Sequence, residues 1–341
     1  MRKIINLGFF VLKTNYTDLG HSINCTIKKG HSRFTLLSDM VYCSLKYGSS
    51  FVDYFNFNFY NKSAEQKSQY ATMAIMYKFH RKINDAAYID KVDDKKQFFK
   101  NFSKFCNPAF LFPTEQKQQA IEHIQSRLGK RIVIKDPEST AGKGVRIFGI
   151  SQKSSEYFVG SEELIKFCED HYSENSFLYL EDFIVQHSEI DKISPTAVNT
   201  IRVITLINNQ HEVEVIGSVF RISVNCAIDN YSAGNLAAEI DKNTGVVISG
   251  GIRKRSSCDK YHEVHPVTNE KILGFKIPHW DKVIEMITEA ATVVPQVRTI
   301  GWDIAITENG PIIIEGNNKW NKDTWQIPAG EGKLKQIKMY L

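Results

Sequence analysis

Two stretches of this sequence carry residue types, at suitable spacing, for phosphate and metal chemistry. In the first, the β-prone run Arg131-Ile132-Val133-Ile134-Lys135 leads into Glu138-Ser139-Thr140-Ala141-Gly142-Lys143-Gly144, and a second β-prone run starts at Val145. Glycines let a backbone approach phosphate oxygens closely enough for successive N–H groups to donate, and a lysine offsets the charge. Ser139, Thr140, Gly142, Lys143 and Gly144 are therefore candidate phosphate ligands. A plain hairpin would use the same glycines. The distinguishing residue is Lys135, whose charge closes an otherwise apolar strand just before the loop, within reach of an α- or β-phosphate. The stretch is not a Walker A loop: GxxxxGK[ST] is absent and a strand, not a helix, follows.

The second stretch is Gly301-Trp302-Asp303-Ile304-Ala305-Ile306, the turn Glu308-Asn309-Gly310-Pro311, and Ile312-Ile313-Ile314-Glu315-Gly316-Asn317. It reads as a hairpin whose pairing brings the Asp303 and Glu315 carboxylates and the Asn317 amide to one patch. Hard oxygen donors of this kind suit Mg²⁺, with Mn²⁺ as the alternative cation, bridging nucleotide phosphates. Most strand carboxylates merely form surface ion pairs. Here apolar neighbours on both sides make the strands read as buried, where an unpaired carboxylate is costly unless a cation accompanies it.

These side chains need a scaffold, and the chain's periodicity suggests one. Its first part is aromatic-rich and reads as mainly helical, with helices expected over 38–47 and 64–84. Tyr70, Met73, Ile75, Met76, Tyr77 and Phe79 recur there at helical spacing, as a packing stripe rather than a ligand face. From Lys130 the texture turns to short β-branched runs at 131–135, 145–150 and 177–184, with a helix at 161–172. A second such block has strands at 200–208, 213–222, 245–249, 301–307 and 311–315 and a helix at 280–294. The expectation is an α+β protein in three parts: a helical N-terminal region (1–105), a first α+β subdomain (106–190) and a second (191–341).

The whole chain has 341 residues, enough for more than one core, and a net charge of +5 that is spread out rather than gathered into a nucleic-acid-binding block. Six cysteines lie far apart with no CxxC pair, the pattern of reduced intracellular thiols. The apolar start after Arg2-Lys3 is interrupted by Asn6 and lacks a small-residue cleavage site. A cytoplasmic location is therefore expected, with any membrane association peripheral. Cys258, His262 and His265 have the spacing of a zinc half-site, but no fourth ligand follows at motif spacing, and satisfied loop histidines are the default reading.

The order of these features resembles the ATP-grasp superfamily. More closely, the chain resembles the sugar-transfer-associated ATP-grasp group of polysaccharide biosynthesis. The likeness is carried by Tyr179-Leu180-Glu181-Asp182-Phe183-Ile184-Val185-Gln186-His187, Val198-Asn199-Thr200-Ile201-Arg202, Arg221, Asp229-Asn230, His262-Glu263-Val264-His265-Pro266, Gly301-Trp302-Asp303 and Glu315-Gly316-Asn317. The resemblance implies two α+β subdomains clamping ATP. It gives Lys135 and residues 138–144 to the phosphates, and the backbone of Glu181, Asp182, Phe183 and Ile184 to the adenine. Glu189, with Asp191 close behind it, goes to the ribose. Arg202 and Arg221 go to the γ-phosphate or an acyl phosphate, the alternative for both being strand-surface ion pairing. Asp303, Glu315 and Asn317 fall at the magnesium positions.

The activity so implied is that of an ADP-forming carboxylate–amine ligase working through an acyl phosphate. Its expected partners are small molecules, an amino acid and a sugar or sugar acid, with peripheral contact to a membrane glycan assembly complex and none to nucleic acid. Two alternatives share the ATP site: a kinase acting on a hydroxyl, and a non-catalytic nucleotide-binding accessory.

Overall fold

The computed structural model describes residues 2–126, 131–135, 145–150, 158–159, 166, 170, 177–226, 229–254 and 258–341. Two sheets organise them. The smaller has five strands in the order β1 (Ala109–Pro113), β5 (Phe177–Asp182), β2 (Arg131–Lys135), β3 (Val145–Ile150) and β4 (Phe158–Val159). All its pairs are antiparallel except β3 with β4. The larger is antiparallel throughout, with six strands in the order β11 (Gly310–Asn317), β10 (Thr299–Thr307), β6 (Ile201–Ile207), β7 (Val213–Ile222), β8 (Leu236–Glu239) and β9 (Ile252–Arg253).

One face of the larger sheet is apolar. Ile201, Val203, Phe220, Ile222, Trp302 and Ile304 pack there with the helix Trp280–Ala291. That helix buries Trp280, Val283, Ile287, Ala290 and Ala291, the stripe that a period of 3.6 produces. Each fully buried Val or Ile contributes about 1.5–3 kcal/mol, so this layer holds the sheet rigid behind its other face.

The other face meets the N-terminal helices. Phe51, Tyr54, Phe55, Phe57 and Phe59 form a core with Val219, Ala237 and Ile252, while Met76, Phe79 and Ile83 of the helix Met73–Ile83 pack with Ile204, Trp320 and Trp325. The N-terminal part thus supplies walls around the sheet. Of the expected aromatic stripe, Tyr70, Met76 and Phe79 are buried, whereas Met73 and Tyr77 are exposed.

Two expected elements differ in the structure. The single helix over 64–84 is broken into Ala64–Ser68 and Met73–Ile83. Between them Gln326 takes both backbone groups of Ala71, at 2.9 and 3.0 Å, and Tyr70 donates to Gly330 O at 2.9 Å. Tertiary hydrogen bonds replace the helical ladder at that point. The expected strand at 245–249 is reduced to isolated bridges, Val246 with Lys276 and Val247 with Ile240. Gly245 adopts φ +72° beneath the Trp280 ring, a left-handed turn that interrupts pairing. The helix expected over 161–172 lies almost wholly outside the described residues.

Candidate active site

The apolar-backed sheet carries a charged row on its opposite face. Directly paired residues in adjacent strands share a face, and the register Glu315↔Asp303↔Arg202↔Val219↔Glu239 crosses five strands, from β11 to β8. Hairpin pairing alone does not produce this row. From the turn, Thr307↔Gly310 runs without interruption to Ile304↔Ile313, after which a bulge shifts the register so that Asp303 meets Glu315. Continued pairing would have set Ile314 beside Asp303 and turned Glu315 to the apolar face, because a one-residue slip inverts every side chain.

Asp303 is the hub of the row. Arg202 grips it bidentately, Nε to Oδ1 at 2.5 Å and Nη2 to Oδ2 at 2.8 Å. Arg221, two residues along β7 from Val219, adds Nη1 to Oδ2 at 2.8 Å. Its Nη2 donates to Asp229 Oδ1 at 2.7 Å, and Asp229 is in turn held by the backbone N–H of Thr200 at 2.8 Å and by the Thr200 hydroxyl. Burial works to raise the Asp303 carboxyl, but the two arginines hold it well below the usual carboxylate range. Arg221 is pushed the other way: burial would lower it, and Asp303 and Asp229 keep it firmly protonated.

Glu315 has no such cationic grip. Burial first, and then the neighbouring Asp303 charge, push its carboxyl above the ordinary glutamate value. Its side chain is nevertheless open to solvent. Asn317 donates its Nδ2 to Glu315 Oε1 at 3.2 Å and to Gly301 O at 3.4 Å, which leaves its carbonyl oxygen without a partner among the described residues. A divalent cation fits this set: hard oxygen donors, with two adjacent carboxylates whose repulsion it would relieve. An anion fits beside it. Among the described residues, the Nε of Arg221 is a buried donor with no partner, and Arg202 uses its Nε and Nη2 on Asp303, not its Nη1.

The next row on the same face forms the aromatic wall. Asn317↔Gly301↔Ile204↔Gly217 runs across β11, β10, β6 and β7, and tryptophans lie over both glycines. A Cβ on Gly301 would fall 2.6 Å from Trp320 Cβ, and one on Gly217 would fall 2.5 Å from Trp325 Cδ1. Glycine is required at both places by close approach.

Around the smaller sheet, Lys135 ends β2 as the register partner of Tyr179 and Val145, with Glu181 two residues along β5. Glu181 is buried. Of the expected adenine-facing backbone, Asp182 N donates to Pro108 O at 3.2 Å and Phe183 N to Arg131 O at 3.3 Å. The Arg131 guanidinium lies 3.7 Å above the Phe183 ring. Ile184 follows, half-buried. Ser139, Thr140, Gly142, Lys143 and Gly144 lie outside the described residues.

Glu189 is exposed and paired with Lys192 at 2.6 Å on the short helix Ser188–Ile193. Asp191, by contrast, accepts from Gln186 Nε2 at 2.9 Å. Gln186 also binds Asn199 and Ser194, so Asp191 belongs to a buried polar network. That helix docks on the end of the β10–β11 hairpin through His187 N to Ile306 O at 2.7 Å and Ser188 N to Glu308 Oε1 at 2.8 Å.

Sequence reasoning assigned no role to Asp229, Asn199, Lys333 or Lys322. Asp229 anchors Arg221, and Lys333 pairs with Glu239 at the far end of the charged row. Lys322, fully enclosed, bridges Asp323 and Asp53 of the N-terminal region at 2.6 Å each. The pairings of Lys333 with Glu239 and of Lys322 with Asp53 join segments distant in sequence, which no local pattern marks. The Cys258, His262 and His265 motif is pulled apart. His262 meets Asp259 at 3.1 Å, and His265 turns inward to Ser223 O at 2.8 Å.

A family model described as sugar-transfer associated ATP-grasp matches residues 75–339. No curated protein matches the chain. Among solved structures, N5-carboxyaminoimidazole synthetase from Staphylococcus aureus, complexed with ADP, aligns at 10% identity over 73% of this chain and 54% of that one, with a TM-score of 0.44. The D-alanine–D-alanine ligase from Bacillus anthracis aligns at 14% identity, covering 72% and 65%, with a TM-score of 0.41. The ATP-grasp ligase PsnB, complexed with a minimal precursor, aligns at 11% identity, covering 76% and 64%, with a TM-score of 0.42. The chain spans between half and two thirds of the length of these structures.

Proposed function

Since the chain belongs to the sugar-transfer-associated ATP-grasp family, we propose that it is an ATP-dependent carboxylate–amine ligase, forming an amide between an amino acid and a sugar or sugar acid. The observation that carries this reading is the charged row on the sheet face opposite the helix Trp280–Ala291, with Glu315 at its exposed end. Glu315 and Asp303 stand side by side with Asn317, and two arginines fixed by Asp303 stand next to them.

In the proposed reaction a substrate carboxylate attacks the γ-phosphate of ATP in line, giving an acyl phosphate and ADP. An amine then displaces phosphate to form the amide. Phosphoryl transfer needs positioning and charge stabilisation more than covalent help from the protein. Asp303 orients the two guanidiniums in advance, so no reorganisation is needed as negative charge develops. Arg221, kept charged and with a buried Nε that has no partner among the described residues, is the donor suited to a transferring phosphoryl oxygen. Glu315, Asp303 and Asn317 would hold Mg²⁺, which neutralises phosphate charge when bound. Lys135, at the end of β2, is assigned to the ATP phosphates, and residues 181–184 to the adenine.

The family description names sugar transfer, and we extend it to a surface-polysaccharide setting. Peripheral membrane contact is supported by apolar side chains that the N-terminal helices expose, Phe9, Leu12 and Phe34 among them. Among the described residues, no helix is long and apolar enough to cross a membrane.

The test is an ATP-consumption screen over amino acids, amino sugars and sugar acids with mass detection of products. ADP and amide formed in equal amounts support the ligase. A phosphorylated hydroxyl product would replace it with the kinase reading, and ATP binding without any turnover would leave an accessory role.

A further inference from the structure

The structure brings together one cluster that the ATP site does not use. His21 and Cys25 lie one turn apart on the helix Tyr16–Lys28, so both project from one face. Cys258, from the segment following β9, joins them: the two sulfurs and a ring nitrogen of His21 all lie within 4.8 Å of one another. We propose that His21, Cys25 and Cys258 bind a Zn²⁺ ion that clamps the N-terminal helices to the ATP-grasp sheet.

Geometry and chemistry agree on this ion. Zn–S and Zn–N bonds of about 2.3 and 2.0 Å at tetrahedral angles put neighbouring ligand atoms roughly 3.5–3.8 Å apart. His21 Nε2 and Cys25 Sγ are 3.6 Å apart, and with every separation in the cluster within 4.8 Å Cys258 needs to close by no more than about 1 Å to reach the tetrahedral spacing. Thiolate and imidazole donors select zinc over magnesium, so the cluster does not compete for the cation of the charged row. Binding replaces the two thiol protons, which leave to solvent, and uses the neutral ring nitrogen of His21. His21 is exposed, so the fourth position falls to water.

The location gives the ion its effect. Leu19 and Ile23 of the same helix pack in one core with Ile252 of β9, and the zinc would fasten that contact on the side where Cys258 arrives. The helix and the strand are joined in sequence only through more than half of the chain. A cross-link between such distant segments restricts the unfolded chain most. The Cys258-x3-His262-x2-His265 spacing thus contains one true ligand, with its partners on another element.

The experiment uses tag-free full-length protein, reduced and stripped of metal, titrated with Co²⁺ and then with Zn²⁺ against a chromophoric chelator. One Co²⁺ should bind with thiolate-to-cobalt charge-transfer absorption, and Zn²⁺ should displace it. Cys25→Ser, Cys258→Ser and His21→Ala should each weaken Zn²⁺ binding by more than the roughly 10–100-fold that loss of an outer partner costs. Cys226→Ser, outside the cluster, should bind as wild type. Hydrogen exchange in the helix Tyr16–Lys28 should slow on adding Zn²⁺. The proposal is overturned by absence of the charge-transfer band in the wild type, by wild-type affinity in Cys258→Ser, or by a Cys25–Cys258 disulfide in freshly prepared unreduced protein.

Discussion

Asp303 and Glu315 are adjacent carboxylates at one proposed metal site, yet the structure predicts that neutralising them has different consequences. In Asp303→Asn, the buried Arg202 and Arg221 lose the negative charge that both contact. The amide also turns a donor toward guanidinium donors. Breaking a buried ion pair from one side costs about 3–5 kcal/mol, a large part of the roughly 5–15 kcal/mol that stabilises a folded protein. Asp229 still compensates Arg221 in part, which places the expected loss near 3 kcal/mol, the lower end of that range. Glu315→Gln removes a charge that burial and Asp303 oppose more than Arg202 offsets, and that forms no ion pair among the described residues, so its stability should equal or exceed wild type. Turnover should be abolished in both. Urea unfolding followed by tryptophan fluorescence suits the comparison, because Trp280, Trp302, Trp320 and Trp325 all pack beside this sheet. The expected result is a lowered midpoint with an unchanged slope for Asp303→Asn only. Equal destabilisation of the two variants, or none in either, would refute the assignment of Asp303 as the charge hub. Retained turnover in Glu315→Gln would refute the metal site.

Further predictions concern the same faces. Mg²⁺ activation should weaken on acidification at a higher pH than for an ordinary glutamate, because Glu315 must be ionised to bind the cation and its carboxyl is raised. An activation constant that stays flat down to pH of about 4.5, the usual range for glutamate, would refute this. The stability contributed by Asp303, whose carboxyl is depressed from 3.8, should be fully present above that value and lost only as the pH falls below it toward the folded-state pKa; acid unfolding measured in wild type and Asp303→Asn reads the difference. Lys135→Ala should weaken ATP binding about 10- to 100-fold, the worth of a charge-assisted hydrogen bond, with little change in unfolding temperature; equal calorimetric affinity would exclude it from the phosphate site. Gly301→Ala should cost about 1–3 kcal/mol by overpacking, since the new Cβ meets Trp320 at 2.6 Å, and near-ultraviolet circular dichroism should report the displaced indole. Unchanged stability and spectrum would show that Trp320 moves freely.

Much of the architecture was legible because it depends on short-range patterning. The runs at 131–135, 145–150 and 213–222 are strands because β-branched residues suit a half-buried pleat, and 280–291 is helical because its apolar residues recur every third or fourth place. The hairpin 301–317 could be read from Glu308-Asn309-Gly310-Pro311 between two apolar runs. Elements failed where distant partners outbid local preference: Gln326 breaks the helix at Ala71, and Trp280 sits over the left-handed turn at Gly245.

The residue types of the candidate site were likewise written in the sequence, while their relations belonged to the tertiary structure. A carboxylate in each strand of a hairpin is visible in one dimension. Whether the two share a face depends on a single bulged residue, Ile314, and no periodicity reports a bulge in advance. Arg202 and Arg221 could be named as cations, but only the strand order β10-β6-β7 shows that one aspartate fixes both. Cys258 could be paired by spacing with His262 and His265, yet the fold carries it to His21 and Cys25. The physical reason is common to all three. Backbone preference is set by near neighbours, whereas charge pairing and metal ligation depend on separations of a few ångströms between segments that only packing brings together.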